Sequence, residues 1–161
     1  LRARIFYKQA LYRAQKRRGG KPLVVGVDIS PTAIKQARKK FPHIQFLVSD
    51  IRSKNFLKGK RFDLVVCKEL MWYVFNKLSL VRENLKKATD ENGYLYISQS
   101  FPEEYVKGRR FVGCDVISGP ERLRDIFNRH PFSLKHLCIE WDYNYGGRPL
   151  VHILLKKGGN R

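Results

Sequence analysis

The chain has 161 residues, 43% of them apolar and 12% aromatic, and a formal net charge of +19. That length fits one domain with a packed core, and the composition excludes a disordered tail protein. No apolar run reaches the ~18 residues of a membrane-spanning helix, so no membrane partner is expected.

Cys67, Cys114 and Cys138 form neither a CxxC pair nor a disulfide framework. A reduced compartment, the cytoplasm, is the expected location. His43, His130, His136 and His152 are scattered without metal spacing, so no metal is expected and each reads as structural or exposed. The sequence opens on Leu1 and its single methionine is Met71, so a trimmed or partial chain is the expectation.

The charge is uneven. Residues 1–61 hold 17 Lys or Arg and 2 acids, whereas residues 62–161 hold 16 and 12. Such a field attracts polyanions and speeds their encounter, which makes RNA one partner class to weigh. The plainer reading places Lys16-Arg17-Arg18 and Lys39-Lys40 at helix ends, where cations complement the dipole. No RNP-type aromatic pattern or GXXG loop accompanies the charge.

In chain order, Ile5, Phe6, Ala10, Leu11 and Ala14 fall at helical spacing and predict a helix over 3–18, stopped by Gly19-Gly20. Leu23 to Val27 is a continuous apolar run that suits a strand buried on both faces, ended by Asp28. Ser30-Pro31 supplies an N-cap and a proline at the first helical position, so a helix runs from Pro31 to about Lys40. Ile44 to Val48 is a second strand, residues 52–61 a basic loop, and Phe62 to Cys67 a third strand.

A helix over 78–88 places Leu78, Val81, Leu85 and Ala88 on one face. Asn92-Gly93 reads as a turn before a strand over 94–98. Phe101 to Gly119 reads as a long loop, 120–129 as a helix, and 134–141 with 150–156 as a hairpin through Asn144-Tyr145-Gly146-Gly147. Alternation of this kind predicts one α/β domain over 1–161: a doubly wound, mostly parallel, Rossmann-like sheet with helices on both faces and an antiparallel hairpin at its end.

Ligands of such sheets bind beyond the carboxyl ends of the strands. Those ends read Asp28-Ile29, Ser49-Asp50-Ile51, Cys67-Lys68-Glu69 and Ser98-Gln99-Ser100. A carboxylate at Asp28 can accept from both hydroxyls of a ribose; the alternative is a helix cap, a place that Ser30 already fills. Asp50 can accept from an adenine amine with Ile51 against the ring, or be a solvated loop acid.

Three stretches, Val24-Val25-Gly26-Val27-Asp28-Ile29-Ser30-Pro31, Phe46-Leu47-Val48-Ser49-Asp50-Ile51 and Phe62-Asp63-Leu64-Val65-Val66-Cys67, followed by Leu85-Lys86-Lys87 through Asn92-Gly93 to Ser98, resemble the class I S-adenosylmethionine-dependent methyltransferases. The resemblance extends from about Phe6 to Lys157. It implies a sheet of order 3-2-1-4-5-7-6 and S-adenosyl-L-methionine as cofactor. It further implies its ribose on Asp28, its adenine near Ile29, Ser49, Asp50 and Ile51, and its methionine part near Cys67 and Lys68.

The family also carries a strand ending in a glycine-rich turn about 20 residues before the ribose acid. Residues 1–18 contain no glycine. The first family strand is therefore expected to be missing, and its loss would weaken or abolish cofactor binding. A longer parent protein is the favoured explanation. A nicotinamide dehydrogenase would need the same absent glycines and fits the Asp50-Ile51 pair less well.

No catalytic residue stands out. The segment after Phe62 to Cys67 lacks the prolines of exocyclic-amine methyltransferases, and Cys67 lacks the neighbouring proline of C5-pyrimidine enzymes. Glu69 reads equally as a general base or as an acid at a helix start. Met71-Trp72-Tyr73 and Phe75 line an acceptor pocket or pack the core, and Tyr105 and Phe111 could cover the acceptor. The expected reaction is O- or N-methylation of a small-molecule acceptor. The alternatives are RNA methylation, or a catalytically silent module that binds RNA or protein.

Overall fold

A computed structural model describes residues 23–142 and 147–159. The helix expected over 3–18 lies outside the described residues, as does the stretch where the first family strand is expected to be missing, and three of the four residues of the hairpin connection, with Gly147 described. The chain divides into two compact units, one ending at Lys60 and the other starting at Arg61.

In the first unit, β1 (Val25–Asp28) and β2 (Gln45–Val48) pair in parallel, with Asp28 opposite Val48. They are joined by α1 (Pro31–Lys40), as the spacing predicts. Ser30 caps α1 by accepting from the Ala33 N–H at 3.2 Å. Ile34 is the buried residue of the helix, and Arg38 Nη2 donates to the Phe46 carbonyl at 2.7 Å. Gly26 is required at its position: a Cβ there would stand 2.4 Å from the Phe46 ring. The basic loop closes with a tight turn over Phe56–Gly59 whose backbone is left-handed from Leu57 to Gly59, anchored by buried Leu57.

The second unit is a four-stranded sheet of order β3-β4-β6-β5. Its strands are β3 (Phe62–Lys68), β4 (Thr89–Ser100), β5 (Phe132–Asp142) and β6 (Arg148–Lys157). β3 and β4 are parallel, and β4-β6 and β5-β6 are antiparallel, so the closing hairpin forms as expected. Within the second unit, the order β3-β4-β6-β5 matches the 4-5-7-6 part of the order the resemblance implies, and within the first, the β1-β2 pair matches its 2-3 part.

Strand alternation sets the core. Leu95, Ile97 and Gln99 of β4 and Val151, Ile153 and Leu155 of β6 share one face and are fully buried. Against it lie α3 (Leu78–Ala88), through Leu78, Val81, Leu85 and Ala88, and α5 (Pro120–Phe127), through Leu123 and Phe127. Each Leu, Ile, Val or Phe among them contributes about 1.5–3 kcal/mol on burial. The opposite face, with Tyr94, Tyr96, Leu150 and Leu154, is half-buried. Two short helices fall where the sequence shows no period: α2 (Met71–Val74) and α4 (Glu103–Val106).

The turn expected at Asn92-Gly93 does not delay the strand. β4 starts at Thr89 opposite Phe62, and its next paired residue is Tyr94 opposite Leu64, so the intervening residues bulge. Asn92 turns with φ 62°, and Gly93 packs so closely that a Cβ would stand 2.8 Å from the Asp90 carbonyl.

Lys157 ends β6 with its side chain buried. Its ammonium donates to the carbonyls of Lys86 (3.0 Å) and Thr89 (2.9 Å) and pairs with Glu91 Oε1 at 2.8 Å. It thereby satisfies a carbonyl at the carboxyl end of α3 that has no partner within the helix. No described helix is long and apolar enough to cross a membrane.

Candidate functional site

The carboxyl ends of β1 and β2 bring Asp28, Ile29, Ser49, Asp50 and Ile51 together within the first unit. The Ser49 N–H donates to the Asp28 carbonyl at 3.0 Å, so the parallel pairing runs on to the last residue before Asp50. Asp28 Oδ1 accepts from the Ser30 N–H at 2.7 Å, while the Ser30 hydroxyl serves the helix. The carboxylate is thus held in place, and Ile29 beside it is 55% exposed.

Asp50 is engaged differently. Its Oδ1 accepts from Arg52 N and Nε, and its Oδ2 from Arg52 Nε and Nη2 at 3.2 and 2.9 Å. These hydrogen bonds hold its carboxyl below the usual carboxylate range. An adenine amine would have to share Oδ2 with the guanidinium.

In the second unit, β3 carries Cys67 and Lys68 to its end. The Cys67 thiol points into the core, and burial pushes it up to about 12. It is neither a nucleophile nor a side-chain contact for a ligand; only its backbone could serve one. Lys68 is exposed.

Glu69 follows with φ 52°. Its Oε1 accepts from the Ser100 N–H (2.9 Å), and its Oε2 from the Ser100 hydroxyl (2.7 Å) and Gln99 Nε2 (3.1 Å). The carboxylate reaches across to the end of β4, so Glu69 is not an acid at a helix start: α2 begins at Met71 and takes no cap from it.

The aromatic segment splits between roles. Met71 and Val74 are core. Trp72 stands edge-on to Phe101 (5.3 Å) and Phe111 (5.5 Å), and Tyr105 touches both of those rings, so the 101–119 segment closes on its own aromatic cluster. Tyr73 is 77% exposed.

Two features escape the sequence. Gln99 is a buried hub, and its signal is a polar residue at an inward position between Ile97 and Phe101. His152 is buried, the structural one of the two readings given for it; its Nδ1 meets Tyr96 Oη at 2.7 Å and its Nε2 lies 3.7 Å from Glu140 Oε2. Burial holds the imidazole below its usual range. No group of three or more His, Cys, Asp or Glu among the described residues could hold a metal.

The methyltransferase domain family matches residues 7–128. The chain belongs to the class I S-adenosylmethionine-dependent methyltransferases. No curated protein matches it in sequence.

Among solved structures, it is similar to the N-methyltransferase NodS of Bradyrhizobium japonicum WM9, with 17% identity and a TM-score of 0.65, covering 83% of this chain and 72% of that one. NodS is also solved in complex with S-adenosyl-L-homocysteine. A methyltransferase of Methanosarcina mazei gives 14% identity and a TM-score of 0.69 over 85% of this chain and 82% of that one. Magnesium protoporphyrin IX methyltransferase of Synechocystis PCC 6803, with bound S-adenosylhomocysteine, gives 17% and 0.63 over 92% and 68%. These likenesses establish the Rossmann-like fold.

Proposed function

We propose that the site at the strand ends binds S-adenosyl-L-methionine and that the reaction is methyl transfer to an oxygen or nitrogen of a small molecule. One observation carries the cofactor half: the β1-β2 register sets the acid at the end of β1 beside the Ser49-Asp50-Ile51 turn, the arrangement a ribose and an adenine need. Asp28 takes the ribose hydroxyls, starting at Oδ2 since Oδ1 already serves Ser30. Ile29 and Ile51 pack on the adenine, with Ser49 and Asp50 at its edge. The backbone of Cys67 and Lys68 borders the methionine part.

When bound, the cofactor supplies an activated sulfonium, so the chain's task is alignment of donor and acceptor rather than activation. The acceptor is assigned to the side of Trp72 and the 101–119 segment, as a small molecule; magnesium protoporphyrin IX methyltransferase, which shares the fold, carries such an acceptor in its name.

A second reading rests on charge. Within α1, Lys35, Arg38, Lys39 and Lys40 face no acid in the same helix, which suits an RNA-binding module of the same fold.

Titration calorimetry with S-adenosylmethionine and S-adenosylhomocysteine, on the chain and on Asp28→Ala, separates the readings. Micromolar binding lost in the variant upholds the cofactor site at Asp28. A folded chain that binds neither, yet binds RNA in a strongly salt-dependent way, upholds the module.

A further inference from the structure

Three segments meet at Ser100. Its N–H and hydroxyl donate to Glu69, while its carbonyl accepts from Trp72 Nε1 (2.8 Å) and Gln99 Nε2 (3.2 Å). Gln99, fully buried, closes the circuit: its Nε2 also reaches Glu69 Oε2, and its Oε1 accepts the Met71 N–H at 2.9 Å. The Glu69 N–H donates to the Ser98 carbonyl at 2.9 Å. One carboxylate thus ties the end of β3 to the last two residues of β4, and through them to both the start of α2 and the Trp72 indole.

The backbone at Glu69 is left-handed, a conformation that a non-glycine residue keeps only when its surroundings over-determine it. The surroundings here are those three donors. Lys68 precedes the turn and the aromatic wall of Trp72, Phe101 and Phe111 follows it.

We propose that Glu69 is a positioning residue: its carboxylate clamps the ends of β3 and β4, and so fixes the Lys68 backbone on the cofactor side and Trp72 on the acceptor side. The inference rests on the cofactor reading given above. It replaces the role of general base. A base must aim a lone pair at the acceptor and take up a proton, whereas this carboxylate faces donors of its own sheet.

S-adenosylhomocysteine carries no transferable methyl, so a residue that acts only as base leaves its affinity unchanged. Calorimetry with this ligand on wild type, Glu69→Gln and Glu69→Ala therefore reads position alone. Glu69→Ala should bind about tenfold more weakly or worse, and Glu69→Gln, which keeps part of the acceptor set, about threefold. Amide hydrogen exchange over 68–72 and 99–101 should quicken in the same order.

Wild-type affinity in Glu69→Ala overturns the proposal, whatever the exchange shows. If the wild-type chain binds no ligand, the cofactor reading fails instead, and exchange decides the clamp: protection kept in Glu69→Ala overturns it, protection lost upholds it. Should Glu69→Ala not fold, Ser100→Ala, which removes one of the three bonds, is read in its place.

Discussion

Replacing Lys157 by methionine should destabilise the second unit by about 2–4 kcal/mol. Methionine nearly matches the length of the lysine stem, so the cavity term is small. What disappears is the ammonium. The carbonyls of Lys86 and Thr89 lose a charged donor at 3.0 and 2.9 Å. An acceptor left dry costs about 1–3 kcal/mol, and relief of the buried lysine's own desolvation returns part of that.

Glu91 adds less. It is one-third exposed and keeps Arg61 at 3.8 Å, so its share is about 1 kcal/mol at most. The loss also removes a cation from the carboxyl end of α3. A fall in Tm of roughly 4–16 °C follows for a chain this long. Tryptophan fluorescence suits the measurement, since Trp72 and Trp141 both lie in the second unit. Glu91→Gln is the internal control and should cost well under half as much. A Lys157→Met protein within about 0.5 kcal/mol of wild type in urea would refute the account of the buried ammonium.

Two further outcomes are expected. With a thiol reagent at pH 8, Cys114 and Cys138 should react in the native protein while Cys67 lags roughly a thousandfold, because a thiol near 12 holds so little thiolate; equal rates for all three would sink the placement of Cys67. His152 has a depressed range in the fold, so the unfolded chain takes up its proton first and stability should fall as pH drops below ~6.5. His152→Asn should flatten that slope between pH 7 and 5.5, and an unchanged slope would refute this account of His152.

Much of the fold is legible because it rests on local rules. The Ser30-Pro31 start of α1 and the four apolar positions of α3 need no distant partner to be read. The parallel strands announce themselves as continuous apolar runs, and their acids fall at their carboxyl ends. What failed did so for want of period or for an outside constraint. α2 and α4 span four residues each, barely one turn, and no periodicity can declare them. Asn92-Gly93 has the chemistry of a hairpin turn, yet the pairing of Thr89 with Phe62 pulls the residues before it into β4 and leaves a bulge.

The candidate site divides along the same line. Asp28 and Asp50 could be found from strand order, because the fold places ligands where those strands end. Their partners are near in sequence: Ser30 for the one and Arg52 for the other. Glu69 could be flagged but not assigned, since its three donors stand about thirty positions away on β4. His152 and Gln99 were hidden for the opposite reason. Gln99 is polar at a position that alternation marks as inward, whereas His152 stands on the other face of β6 with Leu150 and Leu154, and only the contacts show how each group is accommodated.

The charge and the site ask different things of the first third of the chain. A sulfonium donor is itself cationic, so the excess of lysine and arginine in residues 1–61 does nothing to draw it in. The two acids of that stretch are not spread to offset the field. Both stand at strand ends, one bound to the backbone N–H of Ser30 and one locked to Arg52. Acids kept for solubility or charge balance would lie among the lysines of α1, where a Glu four positions before a Lys would add support. Their placement instead follows the geometry of the fold.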